Sequence, residues 1–145
     1  MSVPENVAAV VQEWVEKAEN DLKAAAHTLR LGRDCPTDTV CFHAQQCVEK
    51  YLKALLALHS IPFSKTHSIR ALMGGLPDSC RPSLALAEQE RLSDYAVGTR
   101  YPGDYEPISL QEARRAVALA RRVRSHARRL LPRQVLRLPA PRRRS

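Results

Sequence analysis

The sequence predicts an all-α protein, an antiparallel up-and-down bundle of four to five helices, on three observations. Aromatic residues are 5% of the chain and Gly numbers 5, while Ala, Leu, Val, Arg and Glu dominate, a composition poor in the residues that strands favour. Several long segments carry apolar residues at steps of three and four, the signature of one-sided helices. A length of 145 residues suits one core and is too short for two. Amphipathic helices in such a chain bury their stripes only against each other, which makes a bundle.

The first helix is expected over residues 4–31. Ser2 and Glu5 have the spacing of a capping box, Pro4 suits a first turn, and Gly32 ends the pattern. Val7, Val11, Trp14, Val15, Ala18, Leu22, Ala25 and Leu29 form its apolar stripe. A second helix follows over residues 38–58, where Val40, Ala44, Cys47, Val48, Tyr51, Leu52, Leu55 and Leu56 make a stripe wide enough for a central element. A Pro- and Ser-containing loop then leads to a short helix over residues 68–72, stopped by Gly74, Gly75 and Pro77. A fourth helix is expected over residues 82–97, ended by Gly98. The segment GTRYPGDYEPI reads as a structured loop. Ser109 and Glu112 form a second capping-box spacing and open a last helix that Pro132 ends. Residues 1–131 therefore read as the bundle, and residues 132–145, rich in Pro and Arg, as a disordered tail.

Charge is unevenly distributed. The formal net charge is +8, yet from Arg114 onward there are twelve Arg and no Asp or Glu, so the preceding body carries more acid than base. A basic end on an acidic body reads either as an attachment site for phosphate-rich or acidic partners or as a solvated tail. Cys35, Cys41, Cys47 and Cys80 lack the paired short spacings of a zinc site or a disulfide framework and read as buried free thiols. His43 and Cys47 stand four apart without a third ligand, so neither metal nor cofactor is expected. No apolar run reaches the roughly 18 to 20 residues that span a bilayer, and no secretory leader is visible, so a cytoplasmic location is expected.

Four pieces of the chain, in order and spacing, resemble a known family. They are Trp14, Ala18, Asp21, Leu22 and Ala25 on the first helix; FHAQQCVEKYLKALL over residues 42–56; THSIRAL; and TRYPGDYEPIS followed by EARRAVALA. Together they resemble the HEPN domain, the nucleotide-binding domain of higher eukaryotes and prokaryotes. The resemblance implies a helical bundle that forms a homodimer, binds nucleotide or RNA, and is often encoded beside a minimal nucleotidyltransferase as a toxin–antitoxin pair. It also implies that some members are metal-independent endoribonucleases, using an Arg and a His four to six residues later across the dimer interface. At the matching position this chain has Arg100 and, five residues on, Tyr105. A Tyr is a poor general base at neutral pH and a good hydrogen-bond donor.

Candidate site residues follow from both sources. Arg121 and His126 have an Arg-x4-His spacing, with Arg to stabilise a phosphorane-like transition state and His to move the 2′-hydroxyl proton. Eighteen of the 23 basic residues are Arg, so accident also produces such a spacing, and the pair lies on the last helix rather than at the family position. Arg100 and Tyr101 suit a phosphate and a stacked base, or else anchor the loop, as Tyr105 does. Gln46, Glu49, Lys50 and Lys53 share a face of the second helix at steps of three and four. The lysines there either meet phosphate, with Gln46 reading a base edge and Asp21 positioning one of them, or are neutralised by Glu49 and Asp21 in an interhelical network. His67 starts the short helix, where its side chain either stands exposed or serves capping and packing. Three functions compete: a nucleotide- or RNA-binding HEPN module, a metal-independent RNA endonuclease toxin, and a non-catalytic protein scaffold.

Overall fold

Apolar residues cover most of the circumference of the second helix, and a helix of that kind is stable only when neighbours enclose it. The computed structural model, which describes residues 3–96 and 106–136, shows this arrangement. In chain order α1 is Glu5–Leu29, α2 Thr37–Leu58, α3 Ile69–Gly75, α4 Leu86–Ala96, α5 Leu110–Leu130 and α6 Arg133–Leu136, with single 3-10 turns at Gly32–Asp34 and Asp78–Cys80. There is no strand among the described residues. Helix α2 is the axis, and α1, α5, α4 and α3 all lean on it. Its Tyr51, Leu52, Leu55 and Leu56 are essentially inaccessible, and each such side chain contributes roughly 1.5–3 kcal/mol by leaving water.

The α1 seam against α2 is made by Ala8, Val11, Val15, Ala18, Leu22 and Ala25. Small alanines set among branched residues shape the grooves into which ridges of α2 pack. Gly32, at φ 62°, opens the turn between α1 and α2 in the left-handed region that glycine enters without strain. Gly75 at the end of α3 approaches α2 so closely that a Cβ would stand 3.3 Å from Cδ2 of Leu56.

Three boundaries differ from expectation. Helix α3 runs on through Gly74 and Gly75, beyond the residues 68–72 expected for it. Helix α4 starts at Leu86 rather than at Pro82. Glu88 reaches back to the backbone N–H of Ala85 at 2.9 Å, and Gln89 donates to the carbonyl of Leu84 at 2.9 Å, so side chains hold the preceding stretch outside the helix. Residues 133–136, placed in the expected tail, form α6 against α1. Val135 there is 1% exposed, and Gln134 donates to the carbonyl of Val3 at 3.3 Å. One buried valine is enough to extend the folded body past Pro132. Residues 137–145 lie outside the described residues, as does Ser2 of the first expected capping box. The second box is half realised: the Ser109 hydroxyl accepts from the N–H of Glu112 at 3.0 Å. The Glu112 carboxylate turns instead to the Tyr95 hydroxyl at 2.7 Å.

All four cysteines are free and buried. Burial, with Glu112 nearby, pushes the Cys41 thiol up to about 12, and burial likewise raises Cys47. The thiolate is the reactive form. Ellman's reagent at pH 8 is therefore expected to leave Cys41 and Cys47 unmodified in the native protein and to modify both in denaturant. No helix among the described residues is long and apolar enough to cross a membrane.

Candidate functional site

Six polar residues of α2, His43, Gln45, Gln46, Glu49, Lys50 and Lys53, fall into two networks. Asp21 of α1 is buried and receives Lys50 Nζ at 2.6 Å and His43 Nδ1 at 2.8 Å. On the neighbouring face Glu49, 3% exposed, receives Lys53 Nζ at 2.9 Å, Gln45 Nε2 at 3.0 Å and His67 Nδ1 at 2.8 Å. Gln46 extends this second network by donating to the side-chain amide oxygen of Gln45 at 2.7 Å. Burial pushes the Glu49 carboxyl upward, but the hydrogen bonds from Gln45, Lys53 and His67 prevail and hold it below the usual carboxylate range. Lys53 also lies over the rings of Trp14, 5.3 Å from the centroid, and Phe63, 5.9 Å.

Asp21 therefore does hold one lysine, Lys50, and Glu49 holds the other. Their side chains are 20% and 9% exposed. Both ammonium groups are neutralised within the fold, and the arrangement ties α1, α2 and the loop before α3 together. His67 is the accessible member of this group; its ring is fixed at Nδ1, and its backbone carbonyl accepts from Gln45 at 3.3 Å.

A third hub has no counterpart in the sequence reading. Glu19 of α1 accepts from the Tyr51 hydroxyl and from Arg124 Nε at 2.6 Å, with Arg128 at 3.7 Å. Burial acts to raise the Glu19 carboxyl, yet the bonds from Arg124 and Tyr51 win and lower it. Tyr51, raised by burial and by its bond to Glu19, stays a neutral donor. Arg124 is raised in turn by its bond to Glu19. The one available signal was Tyr51 itself, since a phenol in an apolar stripe needs an acceptor when buried.

Helix α5 presents arginines in two rows at heptad spacing, Arg114–Arg121–Arg128 and Arg115–Arg122–Arg129, about 10.5 Å per step along the axis. Arg114, Arg115, Arg121, Arg122 and Arg129 are exposed. Arg122 is 3.4 Å from Glu88, whereas Arg114, Arg115, Arg121 and Arg129 have no carboxylate partner among the described residues. Grooves flank the helix on both sides. The one toward α4 measures about 340 Å³ and includes Arg91, Tyr95, Arg115 and Arg122. The one toward α1 measures about 380 Å³ and includes Glu19, Lys23, Arg121, Arg124 and Ser125.

Within one chain Arg121 and His126 are not brought together. A five-residue step turns a helix through roughly 500°, leaving the two side chains about 140° apart. Arg121 lines the α1 side, whereas His126 Nε2 donates to the carbonyl of Cys80 at 2.8 Å on the opposite flank. Arg100, Tyr101 and Tyr105 lie outside the described residues.

Comparisons with known proteins bear on the family and the fold. A family model described as HEPN domain matches residues 11–130. The candidate toxin MJ1304 of Methanocaldococcus jannaschii is 32% identical over 100 residues, 63% of this chain. The chain spans 63% of that relative's length, short of two thirds. The crystal structure of TT1696 from Thermus thermophilus matches with a TM-score of 0.66 at 29% identity, over 83% of this chain and 98% of that one. An archaeal HEPN homologue matches at 0.61 and 24% identity, over 83% and 96% of the two chains, a likeness of fold alone.

Proposed function

The chain belongs to the HEPN family, and from that premise we propose that it is an RNA-binding protein of the toxin-related kind whose contact surface is the arginine face of α5. The observation that carries this reading is the set of exposed arginines without carboxylate partners along one helix. Helix stability does not account for them. Cations at a helix C-terminus, such as Arg128 and Arg129, complement the dipole, but Arg114 and Arg115 stand in the second turn and gain nothing from it. The exposed Arg114, Arg115, Arg121 and Arg129 also gather like charge on one helix, a repulsion that no carboxylate among the described residues offsets. A polyanion relieves that repulsion and releases its own counterions, which is how nucleic-acid backbones bind basic surfaces.

In this reading Asp21, Gln46, Glu49, Lys50, Lys53 and His67 form the scaffold that fixes α1 and α2 beneath the contact face. Just ahead of α5 in sequence, Arg100 is the candidate for holding a phosphate and Tyr101, with Tyr105 beside it in the nucleotide-binding set, for stacking a base. The name of the Methanocaldococcus relative supports the toxin-related role. The family resemblance supports a homodimer acting beside a minimal nucleotidyltransferase. Binding is favoured over cleavage because the family position pairs Arg100 with Tyr105, a poor general base, and because His126 is engaged with a backbone carbonyl.

Fluorescence anisotropy with labelled single-stranded and hairpin RNA in EDTA, followed by gel analysis of the same samples, tests this. Saturable binding at low salt with intact RNA is expected, unchanged in His126→Ala. No binding at low salt would overturn the RNA reading, and cleavage that disappears in His126→Ala would replace it with the endonuclease one.

A further inference from the structure

We propose that the groove between α1 and α5 is a phosphate clamp, in which Lys23, Arg121, Arg124 and Ser125 close on one phosphate group of a nucleotide chain. The inference deepens the RNA-binding reading and rests on it for the source of the phosphate. Two helices supply the cations: Lys23 from α1 and Arg121 from α5 both line the groove, both are exposed, and neither has a carboxylate partner among the described residues.

Arg124 differs from them because it is aimed. Its Nε–H is given to Glu19 at 2.6 Å, and Glu19 is itself held by the buried Tyr51 hydroxyl and by Arg128. A guanidinium has five N–H donors, so fixing one orients the plane and leaves others for an anion. Glu19 adds no net repulsion toward an anion, since Arg124 and Arg128 more than match its single charge. The Ser125 hydroxyl adds a neutral donor, and Leu22 and Ala26 supply an apolar strip beside the cations, suited to the edge of a ribose or base. The volume, about 380 Å³, lies within the range of small-molecule sites. The groove toward α4 is less suited, because Glu88 and Glu112 line it against Arg91, Arg115 and Arg122, whereas Glu19 is the single carboxylate lining this one against Lys23, Arg121 and Arg124.

The test measures RNA affinity by anisotropy for Lys23→Gln, Arg121→Gln, Arg115→Gln and Glu19→Ala, each checked for folding by circular dichroism. Lys23→Gln and Arg121→Gln remove exposed groups and leave the core intact. Each is expected to weaken binding about tenfold, and Arg115→Gln on the far row less than threefold. Glu19→Ala makes the surface more positive, so a diffuse field predicts equal or tighter binding, whereas loss of the aimed Arg124 predicts weaker binding. Equal losses in Lys23→Gln, Arg121→Gln and Arg115→Gln, or tighter binding by Glu19→Ala, would overturn the clamp while leaving the arginine-face reading intact. A parallel NMR titration with inorganic phosphate separates the sources of the anion. Shifts confined to the groove, without RNA binding, would retain the clamp as a free-phosphate site and end the RNA reading. Silence in both titrations ends both.

Discussion

Glu49→Ala is expected to lower the free energy of unfolding by about 3–5 kcal/mol, because it leaves a buried cation without its partner. Lys53 is 9% exposed, and the Trp14 and Phe63 rings that cover it restrict access of water to its ammonium group. Gln45, wholly buried, loses one acceptor at the same time. Adding Lys53→Met to Glu49→Ala removes the stranded charge, so the double variant should be more stable than Glu49→Ala alone, a non-additivity that marks a coupled pair. Urea denaturation followed by circular dichroism at pH 7 measures both. Acid adds a second signature. The Glu49 carboxyl is held below its unfolded value, so its contribution is present above the unfolded pKa near 4.3 and is lost as pH falls through the lower, folded one. Glu19 behaves in the same sense. The acid limb of the stability curve should therefore be shallower in Glu49→Ala than in the parent protein.

The second large effect concerns binding. Replacing Arg114, Arg121 and Arg129 together by glutamine removes three exposed cations that have no carboxylate partner among the described residues. Stability should change little, since exposed substitutions of this kind usually stay within about 0.5 kcal/mol each. RNA affinity at low salt should fall by roughly two orders of magnitude if each arginine meets a phosphate. A loss of that size without a loss of fold separates a contact surface from a structural one, and anisotropy alongside thermal melts reads both.

Much of the fold was legible because it depends on local periodicity. The stripe of α2 announced a central helix, and Ser109 marked the start of α5 to the residue. What escaped depends on side chains meeting across long separations. Glu19, Tyr51 and Arg124 are joined only by the register of three helices, and nothing near Glu19 in the sequence distinguishes it from the solvated acids of α1. Lys50 and Lys53 looked equivalent at a three-residue step, yet α1 takes one to Asp21 while the other stays with Glu49 on its own helix. The expected start of α4 lies four residues early, because the side-chain bonds of Glu88 and Gln89 that hold Leu84 and Ala85 outside the helix leave no mark on the apolar pattern. The α6 turn was hidden by composition: Pro and Arg dominate residues 132–145, and the buried Val135 is a single residue among them. The arginine face was visible as charge, but only the fold separates the engaged Arg124 and Arg128 from Arg114, Arg115, Arg121 and Arg129, which meet no carboxylate among the described residues.

The most direct measurement is the salt dependence of single-stranded RNA binding by the parent protein and by the triple glutamine variant. Direct arginine–phosphate contacts predict a steep linear fall of log affinity with log salt in the parent, and a slope smaller by roughly 2 in the variant, near 0.7 per lost contact. Identical slopes and affinities for the two proteins would contradict the assignment of RNA binding to α5.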